Sequence, residues 1–395
     1  MEDVVMNKPP SINFSIRNNN NKMKTPFFVT IGIFIASIVF ANVASATPQA
    51  LLDLEASIRS DLDAYDGTGT STTIFTVAIE SDNGYKFNHS VGNSSMARVF
   101  TGASAAKMVS ATVLLDLVQS GILNLEDNPQ KYLGTKWKYS GRLSNLEHVT
   151  LRNLLNFTSG ITAEPTCLYL PFWYTFETCV DNVFGVNARS PTPGTVFDYN
   201  ASNLQIAGWM AMYASSTSAN QPVSWHEIYD NFRNKYEVLE HSSYKVPSIK
   251  NPQLAAGLVW TPSDYMAFME KLFHGEVLGT TEDGVTNYLS EMIAVQTSDV
   301  DVFHNHIEKK YNLGHDWRYG YGLWIECKPY DETCTEPTRV SSGGAFGSYP
   351  FMDFEHHYFG VIARQGMLNT LYEGIEVFEL VEEKLEQWAK LANSL

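Results

Sequence analysis

Residues 104–119, with the sequence SAAKMVSATVLLDLVQ, are the most informative part of this chain. Apolar side chains occur on every face of the helix that these residues would form, which is typical of a helix buried on all sides. Gly121 follows, where glycine commonly ends a helix. Lys107 is the one cation in the stretch. Because a buried ammonium group is costly, its presence indicates a functional position.

Ser104 and Lys107 are three residues apart, so their side chains lie on the same face of the predicted helix. Unpaired N–H groups at a helix N-terminus stabilise an oxyanion beside the serine. Burial lowers the pKa of a lysine, and a neutral lysine can accept the proton of a serine hydroxyl. The pair is therefore a candidate nucleophile and base. The alternative is an N-cap serine followed by a lysine that reaches solvent.

The S-x-x-K pattern alone has little specificity, since it occurs again from Ser242 to Lys245. That second copy lies in a polar stretch and runs into Val246-Pro247, with no buried helix after it. We interpret it as a chance occurrence.

Both ends of the chain predict strands of one antiparallel sheet. Strand-like patterns, the first two joined by the turn Asp82-Asn83-Gly84, occupy residues 72–80, 85–89, 320–326 and 348–364. Amphipathic helices are predicted at residues 51–65 and 373–391.

The middle of the chain is rich in helical segments and irregular loops. We expect an α/β (α+β) fold whose sheet part comprises about residues 47–121 and 255–395, flanked by helices. A helical insert would comprise about residues 122–254. A cleft between the two parts is the natural place for a site.

Residues 1–46 predict a secretory signal peptide. Lysines precede an uncharged apolar run at residues 27–41, and Ala44-Ser45-Ala46 has the small-x-small pattern of a cleavage site. Cleavage after Ala46 would give a secreted or extracytoplasmic protein. The alternative is an uncleaved signal that anchors the protein to a membrane.

Four cysteines remain after such cleavage, an even number that suggests disulfides in an exported protein. Three pairings are possible, and we predict Cys167–Cys179 and Cys327–Cys334 because each pair brackets a short loop. Neither loop has the C-x-x-C spacing of a zinc site.

The charge of the chain is strongly acidic, with 27 basic and 43 acidic residues and a net charge of −16. A nucleic-acid partner is therefore not expected, and a membrane partner only if the signal is retained. His304, His306 and His315 are more simply explained as a solvated loop than as metal ligands. We expect no metal and no cofactor.

Further motifs follow one another along the chain within about residues 50–390. They include GILNLED at 121–127, TLRNLLNFTSG at 150–160, PGTVFDY at 193–199, AAGL at 255–258 and SGGA at 342–345. Together with Ser104-Ala105-Ala106-Lys107, they resemble the serine β-lactamases and penicillin-binding proteins, and within them the class C β-lactamase branch.

The resemblance implies a role for each matching residue. Ser104 would be the acylated nucleophile, and Lys107 and Tyr199 would share the proton transfers. The backbone N–H groups of Ser104 and Ala345 would form the oxyanion hole. The paired glycines 343 and 344 fit a strand that approaches a ligand closely.

The family's second motif, Tyr-x-Asn, is incomplete here, because the chain reads Tyr199-Asn200-Ala201. Asn203 or Asn200 could partly replace the missing amide. A complete Tyr-x-Asn at Tyr229-Asp230-Asn231 lacks the Pro-Gly-Thr lead-in and is interpreted as chance.

The third motif has Ser342 where lysine or histidine is usual, which removes a cation that would suit a substrate carboxylate. Arg339 could supply that charge instead. We therefore expect a serine hydrolase acting through an acyl-Ser104 intermediate on esters or other neutral acyl substrates. The alternatives are a D-amino-acid peptidase or β-lactamase-type amidase, and a catalytically inactive relative that binds ligands.

Two groups of residues complete the predictions. Possible N-glycosylation sites are Asn88, Asn93, Asn156 and Asn200, of which Asn200 is expected to be unmodified beside an active Tyr199. Aromatic residues that could line the cleft or pack in the core are Trp173, Tyr174, Trp317 and Tyr319.

Overall fold

The structure is a computed structural model that describes residues 48–67, 74–137, 145–171, 173–187, 191–217, 221–280, 284, 287–297, 300–304, 317–326 and 339–395. Its helices are α1 (Gln49–Ala64), α2 (Ala106–Gln119), α3 (Gln130–Leu133), α4 (Leu151–Leu155), α5 (Phe176–Val186), α6 (Ser202–Ala214), α7 (Trp225–Tyr236), α8 (Pro262–Phe273), α9 (Tyr288–Ile293) and α10 (Leu371–Ala392). Its strands are β1 (Phe75–Ser81), β2 (Lys86–Val91), β3 (Phe100–Thr101), β4 (Val196–Asp198), β5 (Ser243–Tyr244), β6 (Pro247–Ser248), β7 (Asn251–Pro252), β8 (Leu258–Trp260), β9 (Asp301–His304), β10 (Arg318–Tyr319), β11 (Trp324–Glu326), β12 (Arg339–Ser341), β13 (Tyr349–Asp353) and β14 (Tyr358–Arg364).

The main sheet joins both ends of the chain. Within the described residues it has seven antiparallel strands, in the order β10-β11-β12-β13-β14-β1-β2. The two ends of the chain meet where β1 pairs with β14, in a register that runs from Phe75 opposite Arg364 to Ser81 opposite Tyr358. The predicted fold class is confirmed.

Helices cover the centre of this sheet. Every residue of β1 and β14 is buried, as expected for strands with both faces covered. Helices α8 and α10 both pack on β14, and α10 also packs along α1. Hydrogen bonds between α1 and α10 join Glu55 to Trp388 and Ser57 to Lys384.

The middle of the chain forms a helical group around α6, which α2, α3, α4, α5 and α7 contact. Ten of the thirteen residues of α6 are buried. The hydroxyl of Ser342, the residue after β12, donates to the carbonyl of Ser104, which lies just before α2. This hydrogen bond links the helical group to the main sheet.

The helix predicted from residue 104 is present. A short 3-10 turn, Ala103–Ala105, leads directly into α2, and twelve of the fourteen residues of α2 are buried. Gly121 has a φ of +71°, the left-handed conformation expected after a helix end. The start of α8 at Thr261 is a capping box with Asp264.

One predicted disulfide is present: Cys167 and Cys179 are bonded at an S–S distance of 2.01 Å. Cys327, Cys334 and residues 1–46, where a signal peptide is predicted, lie outside the described residues, as do His306, His315 and the side chain of His304. Among the helices that the structure does describe, none is long and apolar enough to cross a membrane.

Candidate active site

Ser104 lies in a sharp turn at the edge of the helical group. The preceding residue, Ala103, has a φ of +43°, a left-handed conformation that L-residues seldom adopt. The turn is fixed by Gly102, whose N–H donates to the carbonyl of Leu258 at 2.7 Å. Backbone strain of this kind is found where a fold must hold a reactive side chain in one orientation.

Lys107 projects towards Ser104 from the first turn of α2. Its Nζ donates to Ser104 Oγ at 2.9 Å and to the carbonyl oxygen of Ala255 at 3.2 Å. The side chain is buried, and this burial lowers the pKa of Lys107 to about 7, although the Glu164 carboxylate acts in the opposite direction. At neutral pH a large fraction of Lys107 is therefore neutral and able to accept a proton.

Tyr199 lies next to Lys107. The lysine Nζ is 4.4 Å from the centre of the tyrosine ring, a cation–π distance. Trp324 stacks on the same ring with 4.9 Å between centres, and Phe157 and Tyr319 contact its edges. This aromatic cluster holds Tyr199 beside the Ser104–Lys107 pair.

The SGGA motif lies against the Ser104 turn. Ser342 is buried, and its hydroxyl donates to the carbonyl oxygen of Ser104 at 3.0 Å. Gly344 passes so close that a Cβ there would lie 2.6 Å from the Gly102 carbonyl oxygen. Ala345 lines the cleft, and the described residues supply no acceptor for its N–H.

The close approach at the paired glycines is thus to the protein's own backbone and core. Gly344 approaches the Ser104 turn, and a Cβ on Gly343 would lie 2.3 Å from Leu371 Cδ1. The carbonyl of Ala345 accepts the N–H of Thr370 at 3.0 Å, which fixes the peptide on the other side.

The amides near the incomplete second motif point into the protein. Asn203 is buried and hydrogen bonded to Ser159 and Asn200, and it does not line the cleft. Asn200 does line the cleft, but its Nδ2 donates to the Ile161 carbonyl at 2.6 Å. Both amides stabilise the loop instead of facing a substrate, and a glycan on Asn200 would break this hydrogen bond.

Arg339 lies away from the cleft and does not replace the missing cation of the third motif. It is 8% exposed and hydrogen bonds to Glu326 and Glu382, each at 2.7 Å. It is not among the residues that line the cleft.

The cleft beside Ser104 has a volume of about 420 Å³. Its walls are mainly apolar, with Leu168, Val246, Pro247, Phe346, Leu368 and Leu371 among the lining residues. A cavity of this size and lining fits a small, largely apolar molecule.

Besides Thr101 and Asn369, three polar residues in the cleft were not predicted from the sequence: Glu164, Tyr169 and Gln253. Gln253 is 4% exposed, and its amide nitrogen has no hydrogen-bond partner within the described residues. That nitrogen can serve a hydrogen-bond acceptor on a bound molecule. Only tertiary contacts bring these residues to Ser104, so no sequence spacing marks them.

The Tyr-x-Asn at Tyr229 and the S-x-x-K at Ser242, both interpreted as chance occurrences, contact each other. The Tyr229 hydroxyl and Ser242 Oγ are 2.5 Å apart, and both side chains are buried away from the cleft. However, Val246 and Pro247, which follow the second S-x-x-K, do line the cleft.

None of the four aromatic residues considered for the cleft, Tyr174 included, is among its lining residues. Trp317 and Tyr319 are buried and contact Trp324, which itself lines the cleft. Trp173 is 86% exposed and is not among the lining residues.

Among the described residues, one group of side chains could hold a metal ion, and it lies away from the cleft. Ligand atoms of Asp353, His356 and Glu386 lie within 4.8 Å of one another. The Asp353 carboxylate already accepts from the backbone N–H of His356 at 2.8 Å, with the ring nitrogen 3.1 Å away. This arrangement stabilises the turn between β13 and β14.

Comparison with known proteins identifies the family of this chain. The profile of the Beta-lactamase family matches residues 76–375, which is most of the chain. No curated protein sequence matches the chain.

Several solved structures share the fold. A candidate β-lactamase from Bacteroides dorei DSM 17855 has a TM-score of 0.66 and 23% identity, covering 84% of this chain and 98% of that one. A D-stereospecific amidohydrolase from a Streptomyces species has a TM-score of 0.58 and 17% identity, with coverage of 82% and 97%. EstCE1, described as a hydrolase with promiscuous acyltransferase activity, has a TM-score of 0.59 and 14% identity, with coverage of 86% and 98%.

These comparisons do not distinguish the class C branch from the rest of the family, so that finer resemblance stays a prediction. The family match over most of the chain is sufficient for a broader assignment: the chain belongs to the β-lactamase family of serine hydrolases.

Proposed function

We propose that this protein hydrolyses small neutral esters through a covalent acyl-Ser104 intermediate. The observation that carries the proposal is the 2.9 Å contact between Ser104 Oγ and Lys107 Nζ. The lysine is buried, and its pKa is lowered to about 7. A neutral amine at hydrogen-bond distance is what a serine hydroxyl needs to become a nucleophile.

In the first half-reaction, Lys107 takes the hydroxyl proton as Ser104 Oγ forms a bond to the ester carbonyl carbon. The negative charge on the carbonyl oxygen is stabilised by the N–H groups of Ser104 and Ala345. The bond between carbon and the alcohol oxygen then breaks. The proton returns to the departing alkoxide from Lys107, with Tyr199 beside it as the second proton carrier.

In the second half-reaction, water attacks the acyl-Ser104 carbonyl and gives up a proton to the Lys107–Tyr199 pair. The carbonyl re-forms as the bond to Ser104 Oγ breaks, and that oxygen regains the proton. The products are one carboxylic acid and one alcohol, and the enzyme returns to its starting protonation state.

The cleft supports neutral substrates over carboxylates. Ser342 is tied to the Ser104 carbonyl, and Arg339 lies in a separate ion-pair network. Among the cleft-lining residues that the structure describes, Lys107 is the one Lys or Arg side chain. A substrate carboxylate would therefore find no second cation to bind.

The amidase alternative keeps the same nucleophile but acts on an amide, as the name of the Streptomyces relative states for that protein. The binding-protein alternative rests on Ala201, which lacks the amide of the family's second motif. The intact Ser104–Lys107 contact favours a catalytic protein over an inactive protein that only binds ligands.

Fluorophosphonate labelling tests the proposal. We expect the wild-type protein to gain one covalent adduct by intact mass, and Ser104→Ala to gain none, because the adduct forms on an activated serine. Penicillin should leave the wild-type mass unchanged, while 4-nitrophenyl acetate should be hydrolysed.

The variant Ser242→Ala is the matched control, since Ser242 heads the other S-x-x-K copy, and it should label normally. A folded wild-type protein that does not label would support the binding alternative. A stable penicilloyl adduct or rapid penicillin turnover would support the amidase alternative.

The rate should depend on pH through Lys107. Its pKa is lowered to about 7, so the neutral, proton-accepting form is lost as the pH falls below that value. We expect kcat/KM for a neutral ester to fall about tenfold per pH unit on the acid side of an apparent pKa near 7. A profile that is flat from about pH 5 to pH 8 would exclude Lys107 as the base.

A further inference from the structure

One carboxylate stands at the cleft, close to the reacting groups. Among the cleft-lining residues that the structure describes, Glu164 is the one acidic side chain and Lys107 the one basic side chain. Lys107 is buried, whereas Glu164 is exposed at the cleft wall. A molecule entering the cleft therefore meets the carboxylate before it reaches the amine.

The position of Glu164 depends on the incomplete second motif. The backbone N–H of Ala201 donates to Glu164 Oε1 at 2.5 Å. Ala201 is the residue at which the family pattern has asparagine, and its methyl side chain offers this carboxylate no amide. Glu164 is thus held at the place where the family's amide is lost.

A second neighbour is Tyr169, which also lines the cleft. Burial of its hydroxyl and the adjacent Glu164 carboxylate both raise the pKa of Tyr169, although about half of the residue, 53%, is exposed. The Tyr169 hydroxyl therefore stays protonated and uncharged. As a neutral hydrogen-bond donor, it leaves the negative charge of the Glu164 carboxylate in place.

The backbone before Glu164 is held by side-chain hydrogen bonds. The Asn187 side chain accepts the N–H groups of Thr162 and Ala163 at 3.0 and 2.9 Å. The carbonyl of Ala163 accepts the Ser202 hydroxyl at 2.9 Å. Three residues further on, Cys167 is joined to Cys179. A carboxylate fixed in this way loses little conformational freedom when it binds a ligand.

We propose that Glu164 binds a cationic group of the substrate, so that the enzyme prefers esters carrying an ammonium group over their neutral isosteres. This inference rests on the proposed ester hydrolysis and names the substrate class within it. The apolar walls around Leu168, Leu368 and Leu371 would enclose the uncharged part of the same molecule.

Lys107 repels a bound cation only while the lysine amine is protonated. With its pKa near 7, the amine is mostly neutral at about pH 8.5, and the cleft then carries the charge of Glu164 alone. Measurements at about pH 8.5 therefore isolate the carboxylate.

Two isosteric pairs test the proposal without assuming which side of the ester carries the charge. The first compares 4-nitrophenyl 4-(trimethylammonio)butanoate with 4-nitrophenyl 5,5-dimethylhexanoate. The second compares the acetate esters of choline and of 3,3-dimethylbutanol. Each pair exchanges a quaternary nitrogen for carbon and changes the charge with almost no change of shape.

We expect the cationic member of at least one pair to have a kcat/KM about tenfold higher, the size of a charge-assisted contact. Glu164→Gln keeps an acceptor for the Ala201 N–H and removes the charge, so the preference should fall to about one. Turnover of the neutral member should change much less. Glu240→Gln, which makes the same change of net charge at an exposed site outside the cleft, should keep the preference.

Hydrolysis of all four esters with no preference for the cation, or a preference that survives Glu164→Gln, would overturn this inference and leave the proposed function intact. If no ester is hydrolysed, the proposed function fails, and calorimetric binding of choline against 3,3-dimethylbutanol still tests the carboxylate. Equal or absent binding of choline to folded wild-type protein would then overturn the inference on its own.

Discussion

Lys107→Met is expected to reduce kcat/KM for a neutral ester by about 10³-fold or more, because the base that activates Ser104 is removed. Methionine fills a similar unbranched volume in the buried site of Lys107. Initial rates with 4-nitrophenyl acetate measure the loss. The fluorophosphonate labelling rate should fall in parallel, since both depend on the nucleophilicity of Ser104.

The same substitution should stabilise the fold, since folding a chain with Lys107 requires a buried amine. The pKa of Lys107 is about 7 when folded, against 10.5 as its ordinary value, so the unfolded chain holds the proton more tightly. The penalty is complete below pH 7, shrinks as the pH rises from 7 and disappears above 10.5.

Lys107→Met should therefore raise the free energy of unfolding by as much as about 5 kcal/mol at pH 6 and by much less near pH 10. Denaturant unfolding at the two pH values measures this. Lys390→Met, at an exposed position of α10, is the control and should change neither stability nor rate. If Lys107→Met were inactive but less stable than the wild type at pH 6, the protonated Lys107 would stabilise the folded protein instead of destabilising it.

Gly344→Ala should reduce kcat/KM by about 10²-fold, the cost of displacing one oxyanion-hole donor. A Cβ on Gly344 would lie 2.6 Å from both the Gly102 carbonyl oxygen and Ser348 Oγ. The strand must therefore move away from the Ser104 turn, and the neighbouring N–H of Ala345 moves with it. Steady-state rates at saturating and limiting ester measure the effect.

Gly185→Ala is the matched control for this substitution. A Cβ on Gly185 would meet no atom within 4 Å, and the residue lies in α5. Alanine there should leave the rate unchanged and stabilise the helix by up to about 1 kcal/mol. If Gly344→Ala were folded and fully active, the N–H of Ala345 could not be a component of the oxyanion hole.

The elements that the sequence predicts well are those with a local physical signature. Helix α2 is recognisable because apolar residues cover all its faces, and α8 because Thr261 and Asp264 form a capping box. The antiparallel sheet follows from strand patterns at both ends of the chain. Ser104 and Lys107 could be chosen over Ser242 and Lys245 because only the first pair opens a buried helix.

The rest of the site depends on contacts that spacing does not encode. Glu164 and Gln253 reach the cleft from loops far apart in sequence, and no periodic pattern marks them. The inward direction of Asn203 could not be predicted either. Its side chain is fixed by Ser159, more than forty residues earlier in the chain.

The sequence does not identify the substrate for the same reason, since the walls of the cleft come mainly from loops whose conformation is set by tertiary packing. In the proposed function, the pair of Ser104 and Lys107 determines the reaction, whereas Glu164 and the apolar wall determine which molecules can reach the pair.

The pairing of β1 with β14 has a consequence for the order of folding. Phe75 and Arg364 are neighbours in the sheet although they are 289 positions apart (364 − 75) in a chain of 395 residues. Such long-range strand pairing forms slowly, and it cannot begin until β14 (Tyr358–Arg364) has been synthesised. Until then, Ser104 lacks the glycines and the Ala345 N–H that approach it from beyond β12. The nascent polypeptide therefore cannot assemble the candidate site before residue 364 has been synthesised.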